Sequence, residues 1–184
     1  DTVIGTTLRA LRESGKTAKF ICPETRPYFQ GSRLTASVIC DMGFDVTVIS
    51  DNMPGYVLKE KNGDIFTSAA DVITVDGHVV NKVGTFQIAL AAHYWGIPYF
   101  VTGNPDPAHK DISNIRIEQR NPMEVMCALD KKVTMEGVKG FYPAFDITPP
   151  ELVSGVVTDT GIYTPYDLHS YFKDGNMGEY EMVI

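Results

Sequence analysis

Residues 18–50 read AKFICPETRPYFQGSRLTASVICDMGFDVTVIS, and this stretch decides the fold. Its apolar runs at 18–22 (AKFIC) and 45–50 (DVTVIS) each predict a short buried strand. Between them, apolar residues over 27–42 recur at helical spacing, which predicts a helix. A strand, a helix and a second strand at this spacing are typical of parallel strands joined by a crossover helix.

The same alternation continues along the chain. The pattern predicts a short helix around 53–60, a third strand at 64–68, a helix over 82–94 that stops at Gly96, and a fourth strand at 98–102. We therefore expect an α/β fold with a doubly wound, mostly parallel sheet that has helices on both faces, as in Rossmann-like domains.

The pattern is weaker after Gly103. It predicts a short strand at 115–117 and helices at 123–129 and 150–158, and it assigns no element beyond Tyr163.

A β-hairpin is predicted after the third strand, where residues 72–80 read VITVDGHVV. Apolar residues alternate around Asp76-Gly77, which is the strongest short signal for a two-residue turn. With the turn at these two residues, Asp71 would lie directly opposite Lys82, and an acid and an amine would be neighbours.

The composition restricts the class of protein. The chain has 184 residues, with 16 Lys and Arg against 23 Asp and Glu, so its formal charge is −7. This acidity argues against partners such as nucleic acid and anionic membrane, which need a basic surface. A hydrophobic fraction of 43% is enough for one buried core, so we expect a single domain over 1–184.

The cysteines and the apolar runs indicate the compartment. Cys22, Cys40 and Cys127 are widely spaced, and no CxxC occurs, so we expect neither a disulfide framework nor a metal site. No apolar run approaches the length of about 18 residues that a membrane helix needs. These features favour the reducing cytoplasm. Because the sequence opens at Asp1 inside a helical pattern, we expect a piece of a longer chain.

Polar residues follow the predicted strands at the edge where ligands of parallel sheets bind. Glu24 and Arg26 follow the first strand, Asp51 the second and Asp71 the third. Each residue also has a structural explanation: Asp51 could cap the next helix, and Glu24 could form a surface pair with Arg26. Their convergence on one edge is what predicts a site.

Asp71 is the strongest single candidate. It follows an apolar strand and two alanines, and partial desolvation there would raise its pKa and suit a general acid. Lys82 opposite it would lower that pKa, and the alternative is a structural Asp–Lys pair that steadies the hairpin.

Three further polar residues could hold a ligand. Asn81 and Lys82 open the predicted helix 82–94, where backbone N–H groups and a lysine favour phosphate. The amide of Gln30 could donate to a sugar hydroxyl, although a solvated helix residue is the simpler interpretation. No GxGxxG motif occurs, so no dinucleotide cofactor is expected.

Four segments together resemble the methylthioribose-1-phosphate isomerase family, which is related to regulatory subunits of the eukaryotic initiation-factor-2 guanine nucleotide exchange factor. They are residues 24–36 (ETRPYFQGSRLTA), 70–71 (AD), 81–85 (NKVGT) and 143–149 (PAFDITP), and the resemblance covers about 5–163. It implies an aldose–ketose isomerase without metal or cofactor that acts on a 5-substituted ribose 1-phosphate, a step of methionine salvage. It also implies a homodimer.

The resemblance implies roles for individual residues. The catalytic Asp of the family matches Asp71, and its substrate-binding residues match Gln30, Asn81 and Lys82. Its catalytic Cys and its N-terminal helical domain would precede Asp1, so this chain would be the C-terminal Rossmann-like domain.

The sequence departs from the family at two positions and in one loop: Val72 replaces the usual Arg, Tyr142 replaces the usual Asn, and the loop after Gly103 is shorter. These departures leave open an isomerase for ribose 1,5-bisphosphate or 5-deoxyribose 1-phosphate. A non-catalytic regulatory or sensor subunit on the same fold is the alternative from another functional class.

Overall fold

The computed structural model describes residues 3–61 and 63–173. The chain divides into two compact units, each built from two separate stretches. The first unit comprises the described part of 1–57 together with 119–143, and the second comprises the described parts of 58–118 and 144–184.

The first unit contains the strand–helix–strand pattern that the sequence predicts. Strands β1 (Lys19–Pro23) and β2 (Asp45–Ile49) are parallel, and Cys22 pairs with Val48. Helix α1 (Val3–Glu13) precedes them, and a π-helix (Gly31–Thr35) that continues into α2 (Ala36–Asp41) joins them. The core of this unit is formed by four buried side chains: Leu8, Cys22, Ala36 and Ile39.

The helical segment begins later than residue 27, where the sequence predicts it. Thr25 and Phe29 have φ angles of 62° and 60°, which a right-handed helix does not allow. The chain therefore turns over residues 26–29 before it becomes helical.

The remainder of the first unit is small. Helix α5 (Met123–Met126) leads directly into a hairpin of β7 (Cys127–Ala128) and β8 (Lys131–Lys132). Of the helix predicted over 123–129, only the first turn forms.

The second unit contains a four-stranded sheet with the order β11-β10-β6-β3. Strands β3 (Phe66–Ala69), β6 (Tyr99–Thr102) and β10 (Gly155–Val157) are parallel, and β11 (Ile162–Tyr163) runs antiparallel to β10. Helix α3 (Pro54–Lys61) precedes this sheet in the chain, α4 (Thr85–Tyr94) connects its strands, and α6 (His169–Lys173) follows it. The mixed α/β class and the parallel pairing are therefore confirmed.

The core of the second unit lies against the four-stranded sheet. It includes these buried residues: Ile73, Val79, Ala89, Tyr99, Val101, Leu152, Val153, Val156 and Leu168. Removing this apolar surface from water is the main stabilising contribution of the unit.

A second sheet of this unit is antiparallel. It consists of β4 (Val72–Ile73), β5 (Val79–Lys82) and β9 (Phe145–Thr148), with β5 in the centre. Along β5, Asn81 pairs with Asp146 and Lys82 pairs with Phe145.

The hairpin forms, but the predicted two-residue turn is wrong. Ile73 pairs with Val79, and the loop is one residue longer than predicted, with Gly77 at a φ of 92°. The Thr74 N–H donates to the carbonyl of His78 at 2.9 Å, and the Gly77 N–H donates to the carbonyl of Thr74 at 3.0 Å. This is the three-residue loop with a left-handed glycine that is the next most common hairpin connection.

The Thr74 side chain explains why the longer loop is favoured. Its hydroxyl accepts from the His78 N–H at 2.9 Å and donates to the Asp76 carboxylate, so the polar groups of the loop are satisfied locally. The pairing shifts by one residue, and Lys82 is therefore not the register partner of Asp71.

Three other predicted elements differ from the structure. The helix predicted over 82–94 begins at Thr85, because residues up to Lys82 pair with β9. Residues 150–158 form a single 3-10 turn (Pro150–Leu152) and strand β10, since a short apolar run fits a strand as well as a helix. No strand forms at 115–117.

Within the described ranges, no helix is both long enough and apolar enough to span a bilayer.

Candidate functional site

Asp71 lies just beyond the end of β3, and the residue is exposed. Its backbone N–H donates to the carbonyl of Val80 at 2.9 Å, which ties the residue to strand β5. The sequence predicts partly desolvated surroundings for Asp71, and this prediction is wrong for the chain by itself. The alanine before it, Ala70, does pack against the core of the second unit.

Asn81 and Lys82 end strand β5, and they do not open a helix. The amide of Asn81 donates to the Thr85 hydroxyl at 3.0 Å, and that hydroxyl donates to the carbonyl of Lys82 at 2.8 Å. Thr85 is buried, so these bonds are shielded from water. They hold the end of β5 against the first turn of α4.

Successive residues of a strand point to opposite faces of the sheet. Asn81 therefore shares a face with its partner Asp146, whereas Lys82 shares a face with Phe145. The Lys82 Nζ atom lies 4.8 Å from the centroid of the Phe145 ring, within the range of a cation–π interaction. A ligand that contacts both Asn81 and Lys82 must therefore approach the end of β5.

Asp146 occupies the position at which the sequence predicts a phosphate. One carboxylate oxygen accepts from the Gly84 N–H at 2.6 Å, and the other accepts from the Phe86 N–H at 3.1 Å. A carboxylate at a helix N-terminus satisfies N–H groups that have no partner within the helix. The prediction that free N–H groups of this helix bind an anion is therefore wrong for these two groups.

Asp146 is the residue that sequence reasoning missed, although it stands in the PAFDITP segment. Burial raises the pKa of its carboxyl group, and the bonds from Gly84 and Phe86 act in the opposite direction. Gly84 has a φ of 107°, so the turn between β5 and α4 requires a glycine.

The charge of Asp146 also reaches the core of the four-stranded sheet. Burial raises the pKa of Tyr99 to about 12, the hydrogen bond with the Ser68 hydroxyl opposes this rise, and the Asp146 charge adds to it. The two hydroxyls of Tyr99 and Ser68 are 2.6 Å apart. Ser68 belongs to β3, the strand that precedes Asp71.

In the first unit, Asp51 holds the loop that follows β1. Its two carboxylate oxygens accept from the Thr25 N–H at 2.7 Å and from the Arg26 N–H at 2.5 Å. Glu24 also lies on this loop, and its N–H donates to the carbonyl of Ile49 at 2.8 Å. The carboxylate of Asp51 therefore stabilises the loop, and its role in ligand binding stays a prediction.

Arg26 has a structural role of its own. Its Nη2 atom donates to the carbonyl of Cys127 in β7 at 2.8 Å and to that of Val125 in the last turn of α5 at 3.2 Å. The guanidinium carbon lies 4.9 Å from the centroid of the Phe29 ring. These contacts explain Arg26 better than a surface pair with Glu24 does.

Gln30 begins the helical segment after this loop, and its Oε1 atom is buried with no hydrogen-bond partner among the described residues. A solvated helix residue, the simpler interpretation of the sequence, is therefore wrong for this atom. Burying an amide oxygen without a partner costs free energy, so a ligand hydroxyl there would restore a bond. The backbone is tightly packed, because a Cβ atom at Gly31 would lie 1.9 Å from the carbonyl oxygen of Pro23.

Cys22 lies in β1, and only 7% of its surface is exposed. Burial raises the pKa of its thiol to about 11, so the nucleophilic thiolate is scarce at neutral pH. Among residues 3–61 and 63–173, no three His, Cys, Asp or Glu side chains are grouped so that they could hold a metal ion.

The predicted site residues belong to two groups. Asp71, Asn81 and Lys82 lie in the second unit, around β5. The first unit contains the other four, which are Glu24, Arg26, Gln30 and Asp51.

Comparisons with known proteins point to one family. The sequence profile described as "Initiation factor 2 subunit family" matches residues 2–165. The methylthioribose-1-phosphate isomerase of Fervidobacterium nodosum is 41% identical over 174 residues, covering 91% of this chain and 50% of that protein. The enzyme of the same name from Carboxydothermus hydrogenoformans is 42% identical over 161 residues, covering 86% and 47%.

Solved structures agree with this result. The crystal structure of 5-methylthioribose 1-phosphate isomerase from Pyrococcus horikoshii matches with a TM-score of 0.86 and 32% identity, covering 93% of this chain and 49% of that one. The translation initiation factor eIF-2B subunit delta from A. fulgidus matches with a TM-score of 0.81 and 34% identity, covering 87% and 47%. The chain spans about half the length of the relatives it matches.

Proposed function

Because the chain belongs to the Initiation factor 2 subunit family, we propose that it is part of an aldose–ketose isomerase of methionine salvage. The reaction converts a 5-substituted ribose 1-phosphate, most simply 5-methylthioribose 1-phosphate, to the ribulose 1-phosphate. The main support for this proposal is an identity of about 40% to proteins named methylthioribose-1-phosphate isomerase, over a segment that contains Asp71, Asn81 and Lys82.

The chemistry assigns a task to each of these residues. A phosphate on C1 prevents spontaneous opening of the sugar ring, so an acid must protonate the ring oxygen as its bond to C1 breaks. Asp71 is the proposed general acid. It is exposed in this chain, so the raised pKa that an acid needs would come from the bound substrate and the rest of the protein. A thiol outside this chain would handle the proton at C2.

Substrate binding is proposed for Gln30, Asn81 and Lys82. The unsatisfied Oε1 atom of Gln30 supports a bond from a sugar hydroxyl. The ammonium group of Lys82 suits the phosphate. The reaction would need no metal and no nucleotide cofactor.

The organisation of the complete protein is also part of the proposal. The chain would be the C-terminal, Rossmann-like domain with a doubly wound sheet, and an N-terminal helical part of the same protein would complete the site. The enzyme would work as a cytoplasmic homodimer, with a sugar phosphate as its small-molecule partner.

Replacement of Asp71 by Asn in the complete protein tests the catalytic role. The rate should fall by roughly 10²–10⁴-fold, because the proton donor is lost while the size of the side chain is kept. Asp64→Asn is the matched control, since Asp64 is exposed near the other end of β3. Ketose formation from methylthioribose 1-phosphate is the measurement, and turnover of Asp71→Asn within a few-fold of the parent would assign Asp71 a structural role.

A regulatory or sensor subunit is the second candidate, because the eIF-2B subunit delta shares the fold at 34% identity. Such a subunit would bind a sugar phosphate or a partner subunit without turnover. Since Val72 and Tyr142 depart from the family pattern, ribose 1,5-bisphosphate and 5-deoxyribose 1-phosphate should be assayed as well. Turnover of any of the three sugars by the complete protein would exclude the non-catalytic alternative.

A further inference from the structure

A partly buried carboxylate lies directly behind the proposed substrate-binding residues. Asp146 is the register partner of Asn81 on the neighbouring strand β9. Transferring a charged carboxylate out of water is costly unless hydrogen bonds replace the lost hydration. The partial burial of the Asp146 carboxylate therefore costs free energy, and its hydrogen bonds indicate which part of the structure it holds in place.

Both oxygens of this carboxylate accept hydrogen bonds from the turn between β5 and α4 and the start of that helix. The N–H groups of Gly84 and Phe86 donate to its two oxygens at 2.6 and 3.1 Å. When the carboxylate is ionised, these bonds are stronger than bonds between neutral groups. Since Gly84 has a φ of 107°, the turn has an unusual backbone shape, and Asp146 holds that shape from the opposite strand.

The turn directly follows Asn81 and Lys82, which end strand β5. The Thr85 hydroxyl, which lies between the two residues that Asp146 binds, accepts from the Asn81 amide and donates to the carbonyl of Lys82. A displacement of this turn would therefore move both the side chain of Asn81 and the backbone of Lys82. One carboxylate on β9 controls the geometry of both groups.

We infer that Asp146 is a positioning residue for substrate binding, which sets the turn at residues 84–86 and thereby the placement of Asn81 and Lys82. This role rests on the proposed function. It assigns no contact between Asp146 and the substrate, because both carboxylate oxygens are used within the protein.

Steady-state kinetics of the complete protein test this role with the variants Asp146→Asn and Asp146→Ala. The control is Asp111→Asn, because Asp111 accepts from the Ser113 N–H at 2.7 Å at the start of a different helical turn in the same unit. We expect KM for methylthioribose 1-phosphate to rise about 10-fold in Asp146→Asn, with kcat within about threefold of the parent and no change in the control.

The division between KM and kcat separates positioning from stability. A role in stability alone would reduce the amount of active enzyme, lowering kcat while KM stayed constant, and that result would overturn the inference. If Asp146→Ala does not fold, the kinetics of Asp146→Asn alone test the positioning role, because Asn keeps the size of the side chain and one acceptor oxygen.

A different result would identify failure of the proposed function. If the parent protein does not isomerise methylthioribose 1-phosphate, the proposed function fails for this sugar, and amide hydrogen exchange over residues 81–86 decides the positioning role. Faster exchange in Asp146→Asn than in both the parent and Asp111→Asn would support it. Equal exchange in the three proteins would overturn it.

Discussion

The carboxylate of Asp51 should stabilise the folded protein, because it binds the loop that follows β1. Replacement of Asp51 by Ala leaves the N–H groups of Thr25 and Arg26 without the oxygens they bind at 2.7 and 2.5 Å. Hydrogen bonds to charged groups contribute about 1.5–3 kcal/mol each. Asp51 is only half-buried, so we take the lower value for both bonds and expect a loss of about 3 kcal/mol.

Thermal unfolding measures this loss. For a chain of 150–250 residues, 1 kcal/mol corresponds to about 2–4 °C, so Asp51→Ala should lower the Tm by about 6–12 °C. Asp45→Ala is the control, because Asp45 is exposed at the start of β2, the strand that Asp51 follows. Its Tm should change by no more than about 2 °C, as is usual for surface substitutions.

A small effect in Asp51→Ala would refute the reasoning. If this variant unfolds within about 2 °C of the parent, the two bonds make no net contribution to stability. That result would favour the other role that the sequence predicts for Asp51, as part of a ligand-binding site. Faster hydrogen exchange at Thr25 and Arg26 without a change in Tm would lead to the same conclusion.

Two further predictions follow from the burial of ionisable groups. Because the pKa of Cys22 is raised to about 11, an iodoacetamide titration at pH 8 should label the exposed Cys40 well before Cys22, and equal rates would contradict the burial. The raised pKa of Asp146 means that the folded state keeps this proton to a higher pH than the unfolded state. Its contribution to stability is therefore complete below about pH 4 and is lost as pH rises through the raised pKa, so the Tm of the parent minus that of Asp146→Asn should fall as the pH is raised above 4. A constant difference would show that the pKa is not raised.

The sequence was sufficient for the elements that carry a local signal. Strands β1, β2, β3 and β6 are short segments with apolar or alternating residues, and the bounds of each lie within two residues of the predicted ones. Strand β10 was missed because its three residues, Gly155–Val157, lie in an apolar stretch that fits a helix as well. The hairpin turn was missed by one residue, because the decisive bond comes from a side chain, that of Thr74.

The candidate site was harder to predict, because its contacts join residues far apart in the sequence. Arg26 binds the carbonyl of Cys127, 101 residues away, and Asp146 binds Gly84, 62 residues away. No spacing pattern contains this information. The roles of Gln30, Asn81 and Lys82 were assigned from a resemblance, and they stay predictions until substrate binding is measured.

The discontinuity of the two units has a consequence for synthesis on the ribosome. When residue 118 has emerged, β4 and β5 can form their hairpin, but β9, the other neighbour of β5, has not been made. Strand β5 then has one unpaired edge, which is a template for aggregation. The same holds for any fragment that ends between Lys82 and Phe145, since β5 and β9 lie on opposite sides of such a cut. Expression trials that aim to isolate the second unit should therefore keep residues 58–118 and 144–184 on one chain.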